Sequence, residues 1–170
     1  MQYVDIFELS RARSTIEGTL TAGDLPEAFS LLEGDAKDIQ VSYKAQGTAG
    51  RRELAGADLI LDATVVTACV RCSKPVTIRI EKTVPFLFTK TEKEADAMPI
   101  EDDEEFEIVV GSRKFDIAHW VEEEIILSLP QFAQHDDCEP DRELLQTEET
   151  EETAAKPNPF ACLAALKNKK

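Results

Sequence analysis

Alternating hydrophobic and polar positions recur along the chain and predict several β-strands. The runs with this pattern are residues 14–22, 38–46, 54–68, 75–90 and the short stretch 106–111. Because successive side chains of a strand point to opposite faces, a period of two is typical of an antiparallel sheet that buries one face. Pro75 opens the fourth run and Pro85 interrupts it, which indicates an edge position or a bulge there.

Apolar residues spaced three or four positions apart predict helices elsewhere. The helical segments are residues 4–13, a segment that begins near Pro26, residues 116–130 and residues 158–170. Asp24 and Asp116 are the predicted N-caps of the second and third helices. In the third helix we expect Trp120 in the core and residues 122–124, all glutamates, largely on the solvated side. The predicted fold class is therefore α+β, with an antiparallel sheet backed by two or three helices.

The net charge of −15 is unevenly distributed. Residues 91–107 and residues 136–152 each hold nine acidic side chains and one basic side chain, and the rest of the chain holds 17 basic and 16 acidic ones. Such runs stay solvated because they cannot bury enough apolar surface to offset chain entropy. They are either solubilising segments or an anionic surface for a basic partner. The predicted organisation is a core domain at 1–138 with an acidic loop at 91–105, an acidic flexible linker at 139–157 and a docking helix at 158–170.

The composition favours a soluble cytoplasmic protein without catalytic machinery. No run of about 18 apolar residues is present, so no membrane span is expected. The first residues lack the apolar stretch of a secretory signal, and four cysteines in such a chain argue against a disulfide framework. No Ser-His-Asp set, phosphate-binding loop or dinucleotide-binding glycine motif occurs, so we expect no enzyme. Cys162, in the last predicted helix, is expected to be a small core residue.

The other cysteines suggest a metal site. Cys69 and Cys72 form a C-x-x-C turn that leads into a strand, which is a common zinc half-site. His135 and Cys138 have the spacing of a second half-site, just past the long helix. Together the four residues predict a closed, tetrahedral, structural Zn²⁺ site. The alternative interpretation is two free thiols at a β-turn beside unrelated linker residues.

Two other functions remain open at this stage. A thiol-redox regulator would use the same C-x-x-C pair, although no helix is predicted to start at Cys69 and lower its thiol pKa. A nucleic-acid-binding face could form from basic residues near the cysteine turn, and strands also carry such charges on their solvated face. The candidate RNA-binding residues are Arg51, Arg52, Arg71, Lys74 and Arg79.

Four motifs together resemble one bacterial family. They are C-V-R-C at 69–72, the helix D-I-A-H-W-V-E-E-E-I-I-L-S-L-P at 116–130, H-D-D-C at 135–138, and K-P-N-P-F-A-C-L-A-A-L-K at 156–167. The chain is similar over its whole length to the YceD family of large ribosomal RNA subunit accumulation proteins. The resemblance implies a role in the synthesis, processing or stability of 23S rRNA, with no catalytic residues to carry over. It is also consistent with a metal site formed by the two half-sites.

We therefore expect a non-enzymatic factor of ribosome biogenesis. Its expected partner is a basic ribosomal or assembly protein, because phosphate repels a chain of charge −15 unless a local basic patch overcomes the repulsion. Contact with rRNA would then be indirect or weak. Direct rRNA binding and thiol-redox regulation are the alternatives.

Overall fold

A five-stranded sheet and a two-stranded ribbon form the framework on which the helices pack. The structure is a computed structural model that describes residues 3–32, 39–50, 52–99 and 106–140. In chain order its elements are β1 (Tyr3–Val4), α1 (Ile6–Ala12), β2 (Thr15–Leu20), α2 (Pro26–Ser30), β3 (Gln40–Thr48), β4 (Ala55–Ala68), β5 (Pro75–Thr89), α3 (Glu92–Asp96), β6 (Glu107–Val110), β7 (Phe115–Asp116) and α4 (Ile117–Ser128). The predicted α+β class is confirmed.

The large sheet has the strand order β2-β3-β4-β5-β6. Adjacent strands of this sheet run antiparallel, except β5 and β6, which are parallel to each other. The predicted antiparallel sheet therefore ends in one parallel pair, because the chain crosses back through residues 90–106 before β6 begins. Pro85 remains within β5, opposite Asp58 of β4, and β6 pairs only with residues 86–89. Pro85 thus lies where β5 is an edge strand, as its missing N–H requires.

The core lies on one face of the sheet, beneath α1, α2 and α4. Alternate residues of β3 and β4 are buried along their length, which is the period of two seen in the sequence. Trp120 of α4 is 2% exposed. Its ring makes edge-to-face contacts with Phe86, Phe88 and Phe115 at centroid distances of 4.9, 5.7 and 5.4 Å. The prediction that Trp120 is a core residue is therefore confirmed.

Helix α1 lies directly on the backbone of β3. A Cβ atom at Gly47 would come within 2.0 Å of the Leu9 carbonyl oxygen, so only glycine permits this approach. Ser10 is buried at the same contact, where its hydroxyl donates to the Thr48 carbonyl and accepts from the Gly56 N–H, both at 2.9 Å. These bonds fix the helix on the β3–β4 pair.

Two expectations about acidic residues are wrong. Asp24 is not the N-cap of α2, because Leu25 occupies that position and Asp24 instead accepts bonds from the Thr21 N–H and hydroxyl at 3.0 and 2.7 Å. Glu122 and Glu124 are not solvated but 5% and 1% exposed, because α4 is packed over much of its circumference. The prediction that Asp116 caps α4 is confirmed, since its carboxylate accepts from the N–H groups of residues 118 and 119.

Parts of the predicted organisation lie outside the described residues. The acidic segment 91–105 contains α3 at its start, and residues 100–105 are not described. The linker predicted at 139–157 is described only at residues 139 and 140, and the helix predicted at 158–170, with Cys162, is not described, so both remain predictions. In the part of the chain that the structure describes, no helix is both long and apolar enough to cross a bilayer.

Candidate metal centre

The tip of the β4–β5 hairpin holds Cys69 and Cys72 in a tight turn. The Cys69 N–H donates to the Lys74 carbonyl at 2.9 Å, and the Ser73 N–H donates to the Cys69 carbonyl at 2.8 Å. Ser73 adopts a left-handed conformation with φ 58°, which bends the chain back toward β5. The two thiols are 2% and 9% exposed by residue, so the turn holds both of them inside the fold.

The segment after α4 is fastened to this hairpin by backbone and side-chain bonds. The Val70 N–H donates to the Ala133 carbonyl at 2.9 Å. The Arg71 guanidinium donates to the Cys138 carbonyl and to Gln134 Oε1, each at 3.2 Å. These bonds bring His135 and Cys138 to the hairpin from a position more than 60 residues away in the sequence.

The four predicted ligands converge on one point. The ligand atoms of Cys69, Cys72, His135 and Cys138 all lie within 4.8 Å of one another. The Sγ atoms of Cys69 and Cys138 are 3.7 Å apart, and Cys72 Sγ is 3.5 Å from His135 Nδ1. A tetrahedral zinc ion with Zn–S bonds of about 2.3 Å and a Zn–N bond of about 2.0 Å would separate two sulfurs by about 3.8 Å and a sulfur from a nitrogen by about 3.5 Å. The observed spacing therefore fits a Cys₃His zinc site.

The imidazole of His135 is oriented by its second nitrogen. His135 Nε2 lies 3.0 Å from the carbonyl oxygen of Pro75, the first residue of β5. A carbonyl only accepts hydrogen bonds, so this contact places the proton on Nε2 and leaves the lone pair of Nδ1 directed at the cysteines. Such a contact is typical of histidine ligands in metal sites, where it fixes the tautomer and the ring orientation.

The backbone around Cys69 favours its thiolate. Burial alone would raise the pKa of the Cys69 thiol, but hydrogen bonds from the backbone of His135, Arg71 and Cys72 outweigh it and lower the pKa to about 5. Burial, hydrogen bonding and the charges of the other two cysteines raise the pKa of Cys138. Thiolates so close together repel each other, and a divalent cation bound between them would remove that repulsion. Because four protein side chains would complete the coordination, such a site is structural rather than catalytic.

The same geometry bears on the redox alternative. The segment that follows Cys69 is a turn and then a strand, so no helix dipole acts on its thiol. The low pKa of Cys69 arises instead from backbone N–H donors, which stabilise a metal-bound thiolate equally well. The nearby His135 Nδ1 gives the cluster a fourth ligand that dithiol chemistry does not need.

The candidate RNA-binding residues are not gathered into one patch. Arg52 lies at one end of β4, where it donates to the Pro99 carbonyl at 3.2 Å and covers the Phe106 ring. Arg71 and Lys74 lie at the other end, roughly 40 Å away for a strand of 14 residues. Arg51 lies outside the described residues, and Arg79 pairs with Asp62 and Glu81 at 3.4 Å.

Sequence reasoning missed the structural part that Arg71 plays. The charge of Arg71 predicts a place on a basic face, whereas in the structure its guanidinium holds the segment that carries His135 and Cys138. Its position inside the C-x-x-C turn was the available signal. An arginine there reaches any chain segment that closes over the turn.

One family of known proteins matches the chain over most of its length. The model of the family described as "Large ribosomal RNA subunit accumulation protein YceD" matches residues 57–167, a range that contains all four residues of the cluster. No solved structure matches the chain.

Proposed function

Because this chain belongs to the YceD family of large ribosomal RNA subunit accumulation proteins, we propose that it is a non-enzymatic, cytoplasmic factor of ribosome biogenesis. It supports the synthesis, processing or stability of 23S rRNA, and it does so by binding a basic ribosomal or assembly protein. The family match over 57–167 is the observation that carries the role in rRNA accumulation.

Charge supports a protein partner over direct capture of RNA. The net charge of −15 is concentrated in two acidic segments, and the remainder of the chain is nearly neutral. Anionic segments of this kind accelerate encounter with cationic proteins and repel phosphate. The described arginines that could oppose this repulsion are far apart or already paired with protein groups.

A structural zinc ion in the Cys₃His cluster is part of the same proposal. The ligand spacing, the buried thiols and the Nε2 contact of His135 support it. Bound there, the ion would hold residues 133–138 against the β4–β5 hairpin, at the point where the acidic segment 136–152 begins. The zinc would thus anchor one of the two acidic segments to the folded body.

Binding measurements with purified components test the partner. We expect metal-replete protein to bind at least one separately purified basic large-subunit ribosomal or assembly protein at physiological salt, and to bind 23S rRNA fragments only at low salt. A variant in which the acids at 101–105 are replaced by their amides should bind the protein partner more weakly. A matched comparison replaces only the three acids at 102–104 in one variant and, in the other, three exposed acids on the open face of the sheet, Glu17, Asp62 and Glu81.

The opposite pattern would exclude the proposal. Tight binding to 23S fragments at physiological salt, with no affinity for basic proteins, would favour the direct rRNA-binding alternative. In that case the salt dependence should flatten when Arg52, Arg71, Lys74 and Arg79 are replaced by alanine. In cells, loss of the gene should lower the amount of 23S rRNA relative to 16S rRNA, and unchanged amounts would contradict the role in accumulation.

A further inference from the structure

A cleft beside α4 lies apart from the metal centre. It has a volume of about 310 Å³ and opens between α4 and the β5–β6 pair, where β6 begins. It therefore lies where the sheet changes from an antiparallel to a parallel pair and β5 loses its neighbour.

The floor of this cleft is apolar and aromatic. Phe86, Val109 and Trp120 line it, and Leu127 forms part of its wall. Leu127 is 70% exposed, so its side chain is accessible to a group bound in the cleft. The indole Nε1–H of Trp120 is buried and has no hydrogen-bond acceptor within the described part of the chain. A buried donor without an acceptor is costly, and Trp120 lines the cleft, so a group that binds there and reaches the indole would gain by supplying an acceptor.

The polar part of the cleft is negative. Among the described residues, the carboxylates of Glu107, Glu123 and Glu124 line it. Lys82 pairs with Glu124 at 2.6 Å and His119 lies 3.4 Å from Glu123, so at neutral pH the cleft keeps an excess of negative charge. Burial and the charge of Glu124 raise the pKa of Glu107, and Lys82 opposes them. Of the three carboxylates, Glu107 has no ion-pair partner among the described residues.

We infer that this cleft binds one basic side chain of the protein partner, with arginine preferred over lysine, flanked by an apolar residue that packs on Leu127. The aliphatic part of an arginine side chain can pack on the apolar floor. Its guanidinium can then pair with Glu107 and Glu123 and contact the rim of the aromatic cluster. The partner's flanking backbone carbonyl would provide an acceptor for Trp120 Nε1–H. This inference rests on the proposed function, since it gives the place at which the basic partner binds.

The only tryptophan of the chain provides a direct readout. The probe is a blocked pentapeptide Ser-Leu-Arg-Leu-Ser, and the control is the same peptide with citrulline, which has the shape of arginine without its charge. In ¹⁵N-correlated NMR spectra we expect the arginine peptide to shift the single indole N–H signal. The citrulline peptide should bind about fivefold more weakly, because it loses one ion pair and the contact of the charged guanidinium with the aromatic rings.

Matched variants locate the binding. Glu107→Gln combined with Glu123→Gln should weaken peptide binding about tenfold, because each removes about one exposed ion pair. Glu17→Gln combined with Glu81→Gln removes the same charge from the solvated face of the sheet and should change the affinity by less than about twofold. Equal binding of the two peptides, or an unmoved indole signal while other residues shift, would overturn the inference. Circular dichroism of each variant shows whether it is folded.

The same variants separate this inference from the proposed function. If a basic ribosomal protein binds but the Glu107→Gln/Glu123→Gln pair binds it as tightly as the unmodified chain, the cleft is not the site, and the proposed function stands. If no basic protein binds at all, the proposed function fails, whatever the peptides do.

Discussion

Glu122 of α4 caps the helix α2 across the domain. Its Oε1 atom accepts hydrogen bonds from the backbone N–H groups of Glu27 and Ala28 at 2.7 and 3.1 Å. The N-cap residue of α2, Leu25, makes no side-chain cap of its own. A carboxylate at a helix N-terminus satisfies free N–H groups and lies at the positive end of the helix dipole. This explains why a glutamate is buried in α4.

Replacing Glu122 by alanine should therefore destabilise the fold. The change leaves two N–H groups of α2 without an acceptor, and we expect a loss of about 1–2 kcal/mol in the free energy of unfolding. Urea denaturation followed by circular dichroism measures it. Glu123→Ala, one position along the helix and exposed, is the matched control and should change stability by less than about 0.5 kcal/mol. Equal effects of both substitutions would show that the contact with α2 contributes nothing.

The hydrogen bonds that Asp24 accepts in the turn before α2 should make the stability of the fold depend on pH. The bonds from the Thr21 backbone N–H and hydroxyl lower the pKa of Asp24 from 3.8. A carboxyl group whose folded pKa is lowered stabilises the fold above its unfolded pKa and loses that contribution as the pH falls through the folded pKa. The stability difference between the protein and its Asp24→Asn variant should thus shrink below about pH 4. An NMR titration in which the Asp24 carboxyl gives an unshifted pKa would contradict this assignment.

Features of the fold that depend on local sequence patterns were predicted correctly, whereas features that depend on contacts between distant residues were missed. The period of two in residues 54–68 and 75–90 predicted the two longest strands because each residue's face depends only on its neighbours. Asp116 was a correct N-cap for the same reason. Asp24 was the wrong cap for α2 because Glu122, about 95 positions away, competes for the N–H groups, and local spacing carries no information about it.

The ligand set of the candidate metal centre was predictable, whereas its surroundings were not. Two half-sites with two intervening residues each are a local signal, and the structure brings their atoms together. The contact of His135 Nε2 with the Pro75 carbonyl needs the hairpin and the segment after α4 in register. Likewise, the cleft beside α4 depends on the parallel pairing of β6, which a short apolar stretch does not specify.

Gly47 should tolerate no side chain. An alanine Cβ there would lie 2.0 Å from the carbonyl oxygen of Leu9, a backbone atom, so α1 would have to move off β3. We expect Gly47→Ala to cost about 1–3 kcal/mol, as overpacking does. Gly23→Ala is the control, because its nearest neighbour would be 3.8 Å away, and it should be neutral or slightly stabilising. Thermal unfolding of both variants tests this, and a harmless Gly47→Ala would show that the approach of α1 to β3 is looser than described.

Lys82 keeps the buried carboxylate of Glu124 paired. Its Nζ atom lies 2.6 Å from Oε2 of Glu124, whose side chain is 2% exposed, whereas that of Lys82 is 31% exposed. Lys82→Met should cost about 2 kcal/mol, less than for a fully buried pair because solvent reaches the lysine. Adding Glu124→Gln to Lys82→Met should recover part of the loss, since it removes the unpaired charge. Additive losses in this double-mutant cycle, measured by urea denaturation, would show that the two side chains do not interact.

Zinc removal should loosen the hairpin end of the domain first. We expect about one zinc ion per chain by elemental analysis, in line with the four-ligand cluster. Cys69→Ser or Cys138→Ser should abolish it. Cys162→Ser, which changes a cysteine that is not one of the four predicted ligands, should leave the metal content unchanged. Chelation should speed hydrogen exchange at the N–H groups of Cys69, Val70 and Ser73 more than in the centre of β4, because the ion would join residues 133–138 to the turn.

Acid should release this zinc. Thiols must lose their protons to bind the ion, so the affinity for zinc falls as the pH falls, and the low pKa of about 5 for Cys69 lets that ligand persist into mildly acidic solution. The raised pKa of Cys138 means that it is protonated before Cys69 as the pH falls. Purified protein without zinc, or a zinc content that Cys138→Ser leaves unchanged, would contradict the site. Hydrogen exchange at the hairpin that does not change on chelation would show that the cluster holds its shape by hydrogen bonding alone.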